Sequence, residues 1–355
     1  MVGLRVALIA SARFPVKEPF AGGLEAHTWA LARALTSRGH HVALFAAPGS
    51  DAALGVHELP VSEPTLSSSA RADVSMPPAR WMAEHHAYLR LMLDLAREGD
   101  RSFDVVHNNS LHYLPVAMAA AVPLPVVTTL HTPPTPWLES AVQAQDECAV
   151  TFTAVSTYTA RAWRESTPSA RVIRNGVDTR LWSPGPGGNG LVWSGRLVPE
   201  KGPHLAAEAA RKAGLPLRIA GPVGDARYFA EYVAPLLGDG IEYVGHLDQH
   251  RLARLVGAAA AVLVTPCWDE PYGLVVAEAL SCGTPVCGLD RGALSEILTP
   301  ACGRLAPAGD VAELAGLIAE TVELDRGAAR ERAETFCSLE VMADRYGALY
   351  EELIA

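Results

Sequence analysis

"LRVALIASARFPVKEPFAGGLEAHTWALARALTSRGHHVALFAA" occupies residues 4–47. It opens with a short, fully apolar run, "LRVALIA", of the kind that forms a strand buried on both faces. A Pro- and Gly-rich loop follows, then a helical pattern over residues 24–38 that stops at Gly39, then a second apolar run, "HVALFAA". Strand, loop, helix and strand in that order make the first unit of a doubly wound parallel sheet.

The alternation continues outward. Helical patterns around residues 81–97, 114–121, 137–148 and 157–165 interleave with the strands "FDVVHNN", "PVVTTLH" and "AVTFTAVS". Pro and Ser crowd residues 60–78, which read as a long surface loop. After Arg174, "RNGVDTRLWSPGPGGNG" reads as an interdomain linker too loose for a core. A second series then runs through "GLVWSG", "LPLRIAG", "IEYVG", "AVLVTP" and "TPVCGLD" with helices between, and residues 339–353 form an amphipathic helix. The expected architecture is α/β: two Rossmann-like lobes facing each other, residues 1–174 and 175–338, with their ligand site beyond the carboxyl ends of the strands.

The 355 residues suit two domains, and 49% apolar with 19% charged residues suits packed globules. A formal net charge of -10 argues against nucleic acid and anionic lipid as partners. The six cysteines, at positions 148, 267, 282, 287, 302 and 337, have no CxxC pair; they read as buried reduced thiols in a cytoplasmic protein. No apolar run is long enough to span a membrane.

Several stretches could carry chemistry. "GPGGNG" (185–190) satisfies G-x-G-x-x-G but precedes a strand and opens no helix, so it reads as coil and not as a dinucleotide fingerprint. Gly22 and Gly23 sit where the first helix begins, and their bare N–H groups could approach an anion; the alternative is a flexible turn. In "SGRLVPEKGPHLAAEAA" a strand end, Arg196, Lys201 and a helix start opened by Gly202-Pro203 converge, which is what a diphosphate requires. Solvated loop charges are the alternative. In "EPYGLVVAEALSCGTPV", Glu270 precedes a helix and Glu278 lies on it. Together they could accept hydrogen bonds from paired sugar and ribose hydroxyls; singly, each would be a cap or a satisfied core acid. No D-x-D triplet and no metal-ligand spacing occurs, so no metal is expected.

"GRLVPEKG", "RNGVD" and "EPYGLVVAEALSCGTPV", together with "GGLEAH" and "TTLH", resemble the family-4 retaining glycosyltransferases of the GT-B fold, whose mark is two glutamates separated by seven residues. The resemblance spans nearly the whole chain. It implies that Arg196 and Lys201 hold the donor diphosphate, with Gly22 and Gly23 touching it from the other lobe. It implies sugar hydroxyls on Glu270, ribose on Glu278, and backbone contacts from Tyr272, Gly273, Leu274 and Val275. It further implies that His131, closing "PVVTTLH", faces the sugar near its C6 oxygen and the reacting centre; without the motif it would read as a core histidine. The base is expected near Gly221, Gly245 and His246. The resemblance also implies that the last helix, 339–355, crosses back to the first lobe, and that the donor is a nucleoside-diphosphate sugar used without another cofactor. The acceptor is expected to be a soluble metabolite or natural-product scaffold, since residues 67–100 carry four Arg, no Lys and offsetting acids. A lipid or polysaccharide acceptor, or a sugar-nucleotide epimerase, is the alternative.

Overall fold

The computed structural model describes residues 3–145 and 149–355. The first lobe contains β1 (Arg5–Ile9), α1 (Gly23–Ser37), β2 (His41–Ala46), β3 (Val56–Glu58), α2 (Ser68–Ala72), α3 (Ala79–Ser102) and β4 (Val105–Asn108). It continues with α4 (Leu114–Ala117), β5 (Val126–Leu130), α5 (Pro136–Gln143), β6 (Thr151–Ala154), α6 (Thr157–Ala162) and β7 (Arg171–Val172). The second lobe contains β8 (Leu191–Ser194), α7 (Pro203–Ala213), β9 (Leu217–Ala220), α8 (Ala226–Tyr228), β10 (Ile241–Gly245), α9 (Gln249–Gly257) and β11 (Ala261–Val264). It closes with α10 (Leu274–Ser281), β12 (Val286–Leu289), α11 (Leu294–Ile297), β13 (Gly303–Ala306), α12 (Val311–Thr321) and α13 (Arg326–Phe336), before α14 (Leu339–Ile354).

The strands form two wholly parallel sheets, ordered β3-β2-β1-β4-β5-β6-β7 and β10-β9-β8-β11-β12-β13. Apolar side chains cover both faces of each sheet, as parallel sheets require. Strand order reverses between β1 and β4 in one lobe and between β8 and β11 in the other. A crevice opens at each reversal, because the flanking connections leave to opposite sides. The expected pair of Rossmann-like lobes is therefore what the chain forms.

Helix α14 returns to the first lobe. Its face of Met342, Ala343, Tyr346, Leu349 and Tyr350 packs into the core built by β1, β2 and α1. Arg38 Nε to Asp344 at 2.6 Å and a two-pronged Arg171–Glu352 pair at 2.6 Å lie along its exposed side.

Some local expectations fail for definable reasons. The segment after Arg174 is not loose: Val177 and Trp182 are buried. A Cβ on Gly176 would lie 2.5 Å from the backbone of Leu339, and one on Gly185 would lie 2.3 Å from the Gly257 carbonyl. These glycines are small so that backbones can touch, a packing role that composition cannot distinguish from flexibility. Residues 60–78 are not all loop, since Ser67 accepts from the Ala70 N–H and caps α2. The helix expected near residues 228–237 breaks into a π-turn and a 3-10 turn, where Pro235 cannot donate to an α-helical ladder. Cys267 is exposed, unlike the buried Cys282, Cys287, Cys302 and Cys337. Cys148 and the last residues of the helix expected over 137–148 lie outside the described residues.

Candidate functional site

The two reversal crevices face each other and enclose a cavity of about 320 Å³ lined by both lobes. From the first lobe come the loop and helix start after β1 (Phe20–Leu24) and residues after β4 and β5, Leu111, His131 and Thr132. From the second come Ser194–Arg196 after β8, Lys201, Ala220–Pro222 after β9, and the β11–α10 connection with its two glutamates. Most of these contributions sit at a strand's carboxyl end or one turn into the next helix.

On the second lobe the charges are paired in advance. Lys201 Nζ lies 2.5 Å from Glu270 Oε2, which also accepts from the Trp268 indole N–H at 3.1 Å. The ammonium stands 5.0 Å over the Trp268 ring. This fixes the Lys201 head group before any ligand arrives. Local backbone geometry sets its position: Gly202 adopts φ +62, and a Cβ there would meet the Thr265 carbonyl at 2.3 Å. The Thr265 hydroxyl donates back to the Gly202 carbonyl at 2.7 Å. Arg196 is half-exposed, reaches Glu200 only at 3.9 Å, and leaves its guanidinium toward the cleft. Gly273, at φ +97, turns the chain into α10, whose first N–H groups have no side-chain cap. Glu278 lies one turn further along, and burial pushes its carboxyl up to about 8.

The first lobe supplies neutral groups. Gly22 is extended and precedes α1; a Cβ there would stand 3.7 Å from Arg196 Nε, while one on Gly23 would stand 3.3 Å from Leu274. The two lobes thus approach each other closely where the N-terminus of α1 faces Arg196 and Leu274. His131 Nε2 lies 2.7 Å from Asn109 Oδ1, so the imidazole carries its proton on Nε2 and leaves Nδ1 a lone pair. Burial, then His27 and His107, hold its pKa well below the ordinary imidazole value. The His27 ring packs edge-on against it at 5.0 Å. Beneath lies His107, between Tyr350 OH at 2.6 Å and Thr129 Oγ1 at 2.8 Å, lowered to about 3 by burial.

Further contacts join the lobes around the cavity. His246 Nε2 donates to the Phe20 carbonyl at 2.9 Å, Tyr158 OH to Asp269 at 2.7 Å, and Ser156 Oγ to the Pro271 carbonyl at 2.6 Å. Glu296 caps the N–H groups of Thr157 and Tyr158 at the start of α6.

The fold brings together Gly22, Gly23, His131, Arg196, Lys201, Gly221, His246, Glu270, Tyr272, Gly273, Leu274, Val275 and Glu278 as lining of this one cavity. Gly245 is outside the lining; its carbonyl is taken by the Gly221 N–H at 2.9 Å, which ends the sheet. The Tyr272 side chain is buried in the core of the second lobe. Sequence reasoning missed Trp268, His27 and Asn109. The second asparagine of "HNNS" held the only available clue to Asn109, since it ends a strand beside the one that ends in His131. Glu25 was missed too: it is buried beside Gly22, its pKa is raised by burial, and Arg196 partly offsets that. Among the described residues no helix is long and apolar enough to cross a membrane, and no cluster of three His, Cys, Asp or Glu could hold a metal ion.

Residues 21–181 match Glycosyltransferase Family 4, and residues 185–335 match Glycosyl transferases group 1. A glycogen synthase of Mycobacterium tuberculosis is 28% identical, the match covering 88% of this chain and 85% of that protein. A phosphatidyl-myo-inositol mannosyltransferase of Mycolicibacterium smegmatis is 27% identical over 91% of this chain and 86% of its own. Among solved structures, AviGT4, a glycosyltransferase involved in avilamycin A biosynthesis, superposes with a TM-score of 0.69 at 24% identity, covering 99% of this chain and 98% of its own. The Anabaena protein HepE, solved in complex with UDP-glucose, superposes with a TM-score of 0.75 at 20% identity, covering 99% and 100%.

Proposed function

The chain belongs to the family-4 glycosyltransferases of the GT-B fold, and from that premise we propose that it moves a sugar from a nucleoside-diphosphate sugar to a hydroxyl acceptor with retention of configuration. The observation that carries this reading is the convergence of the N-terminus of α1, Arg196 and Lys201 on one cavity, with Glu270 already docked on Lys201. Two cations, one of them held in place, and free helix N–H groups suit a pyrophosphate, and the paired glutamates suit the hydroxyls on either side of it. That HepE was crystallised with UDP-glucose supports the same class of donor.

In this reading the bond from the anomeric carbon to the diphosphate oxygen breaks first, through an oxocarbenium-like state. Arg196, Lys201 and the helix ends stabilise the departing charge, a preorganised electrostatic role. The acceptor hydroxyl then bonds to the anomeric carbon from the face the diphosphate leaves, and its proton passes to the leaving phosphate oxygen. Neutralisation of the diphosphate is assigned to side chains and not to a metal ion, and no other cofactor is assigned. Residues 1–174 with the returning helix 339–355 take the acceptor, and residues 175–338 the donor. Buried unpaired thiols favour a reducing, cytoplasmic setting.

A soluble, ring-bearing acceptor is the favoured class. The outer part of α3 carries no lysine-rich face; it offers Trp81, stacked on His85 and 5.9 Å from Trp137, which is 61% exposed. The test is a thermal-shift screen, without added metal, against UDP-, GDP-, ADP- and dTDP-sugars. One of them is expected to raise the melting temperature, and silence from all would remove the donor reading.

A further inference from the structure

The floor of the cleft holds a group of buried polar atoms with nothing to bind. His27 is 2% exposed, and neither ring nitrogen has a partner. Asn109 Nδ2 and Thr132 Oγ1 are likewise buried and unpaired. All three residues surround one side chain: His27 packs against the His131 ring, Asn109 Oδ1 holds His131 Nε2, and Thr132 follows it in the chain. Unpaired buried polar groups cost stability, about 1–3 kcal/mol each, and four such atoms gathered around one side chain point to an absent partner.

We infer that His27 and Thr132, which line the cavity on either side of His131, form a hydroxyl-recognition subsite for the donor's sugar ring, with Asn109 holding His131 from behind. The inference rests on the donor reading above and extends it to residues that the two-glutamate pattern does not reach. Position selects the donor over the acceptor. His27 lies one helical turn beyond Gly23, the start of the helix whose N–H groups face the diphosphate, so a group held here is covalently close to the phosphate. It also lies at the bottom of the cavity, where the first ligand to enter settles. Chemistry selects a hydroxyl over an anion. A neutral imidazole offers an N–H on one edge and a lone pair on the other, and a hydroxyl, being both donor and acceptor, can meet either. Burial drives the His27 pKa down to about 4, so the ring has no charge to offer a phosphate oxygen at neutral pH. His27 is also a positioning residue, since its ring edge limits the tilt of His131.

His27→Phe tests this, because it keeps a ring against His131 and deletes both nitrogens. Replacing an unsatisfied buried polar group by an apolar one of similar shape leaves the free protein equally or more stable. The melting temperature of the unliganded variant is therefore expected to match or exceed that of the wild type. Calorimetric titration with UDP, GDP, ADP and dTDP, and with UDP-glucose, GDP-mannose, ADP-glucose and dTDP-glucose, separates the sugar's contribution from that of the nucleotide. The variant is expected to bind the preferred nucleoside diphosphate within twofold of wild type and to bind the matching sugar nucleotide about tenfold more weakly. His27→Gln, which restores a donor and an acceptor, is expected to regain part of that loss. Unchanged affinity for the sugar nucleotide, or equal loss for both ligands, would overturn the subsite while leaving the donor reading intact. Wild-type protein that bound none of the eight would overturn both.

Discussion

The two walls of the cleft are built from opposite materials. The wall from the second lobe is charged, with Arg196, Lys201, Glu270 and Glu278 converging at the β8–β11 reversal. The wall from the first lobe is neutral: His27, His107 and His131 are stripped of their protons by burial, and Gly22 and Gly23 offer backbone alone. The difference divides the work by charge. A pyrophosphate needs fixed positive charge, which is cheapest to hold near the rim, where water still reaches Arg196. A sugar needs neutral donors and acceptors, which tolerate the dry floor. Four measurements would break or sharpen that division.

The largest effect is expected on the charged wall. Lys201→Ala removes the cation that Glu270 and Trp268 hold in place, and kcat/KM is expected to fall about 100-fold or more, roughly 3 kcal/mol of transition-state stabilisation. Wild-type turnover in that variant would dissolve the assignment.

The next is a pH effect from the same wall. With its pKa near 8, Glu278 is mostly protonated at pH 7, while a carboxylate is the better acceptor for ribose hydroxyls. Nucleoside-diphosphate affinity is expected to rise about tenfold from pH 7 to pH 9, and Glu278→Gln should flatten that slope. The unliganded protein should move the other way. Its raised carboxyl contributes stability that is whole below the unfolded value of 4.5 and is lost as pH climbs through about 8. Parallel pH profiles for Glu278→Gln and wild type would contradict both signs.

A smaller, purely structural response is expected beneath the neutral wall. Tyr350→Phe strips His107 of its Nδ1 partner, contributed from α14, and should cost about 1 kcal/mol in urea unfolding. Nucleotide affinity should hardly change, because the contact lies below the floor. A loss of binding larger than the loss of stability would show that the neutral wall is coupled to the charged one. Last, the walls meet at His246–Phe20 and Tyr158–Asp269, contacts that a closing cleft would make and an opening one would break. Small-angle scattering with and without the preferred nucleotide should show a modest decrease in radius of gyration; identical profiles would argue for a rigid pair of lobes.

Much of the charged wall was legible in the chain because its parts are local. Arg196 and Lys201 lie five residues apart across one strand–helix junction, and Glu270 and Glu278 flank one helix start. The neutral wall was legible only in fragments. "TTLH" marked His131, but nothing near it in sequence announces Asn109, 22 residues earlier, or His27 on another helix. The looseness expected of "RNGVDTRLWSPGPGGNG" is absent for a related reason. Gly176 and Gly185 look like slack until Leu339 and Gly257 are seen pressed against them. Short elements such as β7, α11 and β13 carry too few residues for periodicity to register.

The amino-acid order alone determined the alternating strands and helices, hence two parallel sheets, hence a site at the strands' carboxyl ends, because buried parallel strands permit few other solutions. Tertiary structure decided which wall is charged and which is dry, that Lys201 rests on Glu270, and that three histidines gather at the floor of the cleft with a tyrosine from the last helix beneath them. Those facts depend on contacts between residues up to 243 positions apart. Burial, the quantity that sets their protonation, exists only once the chain has closed around them.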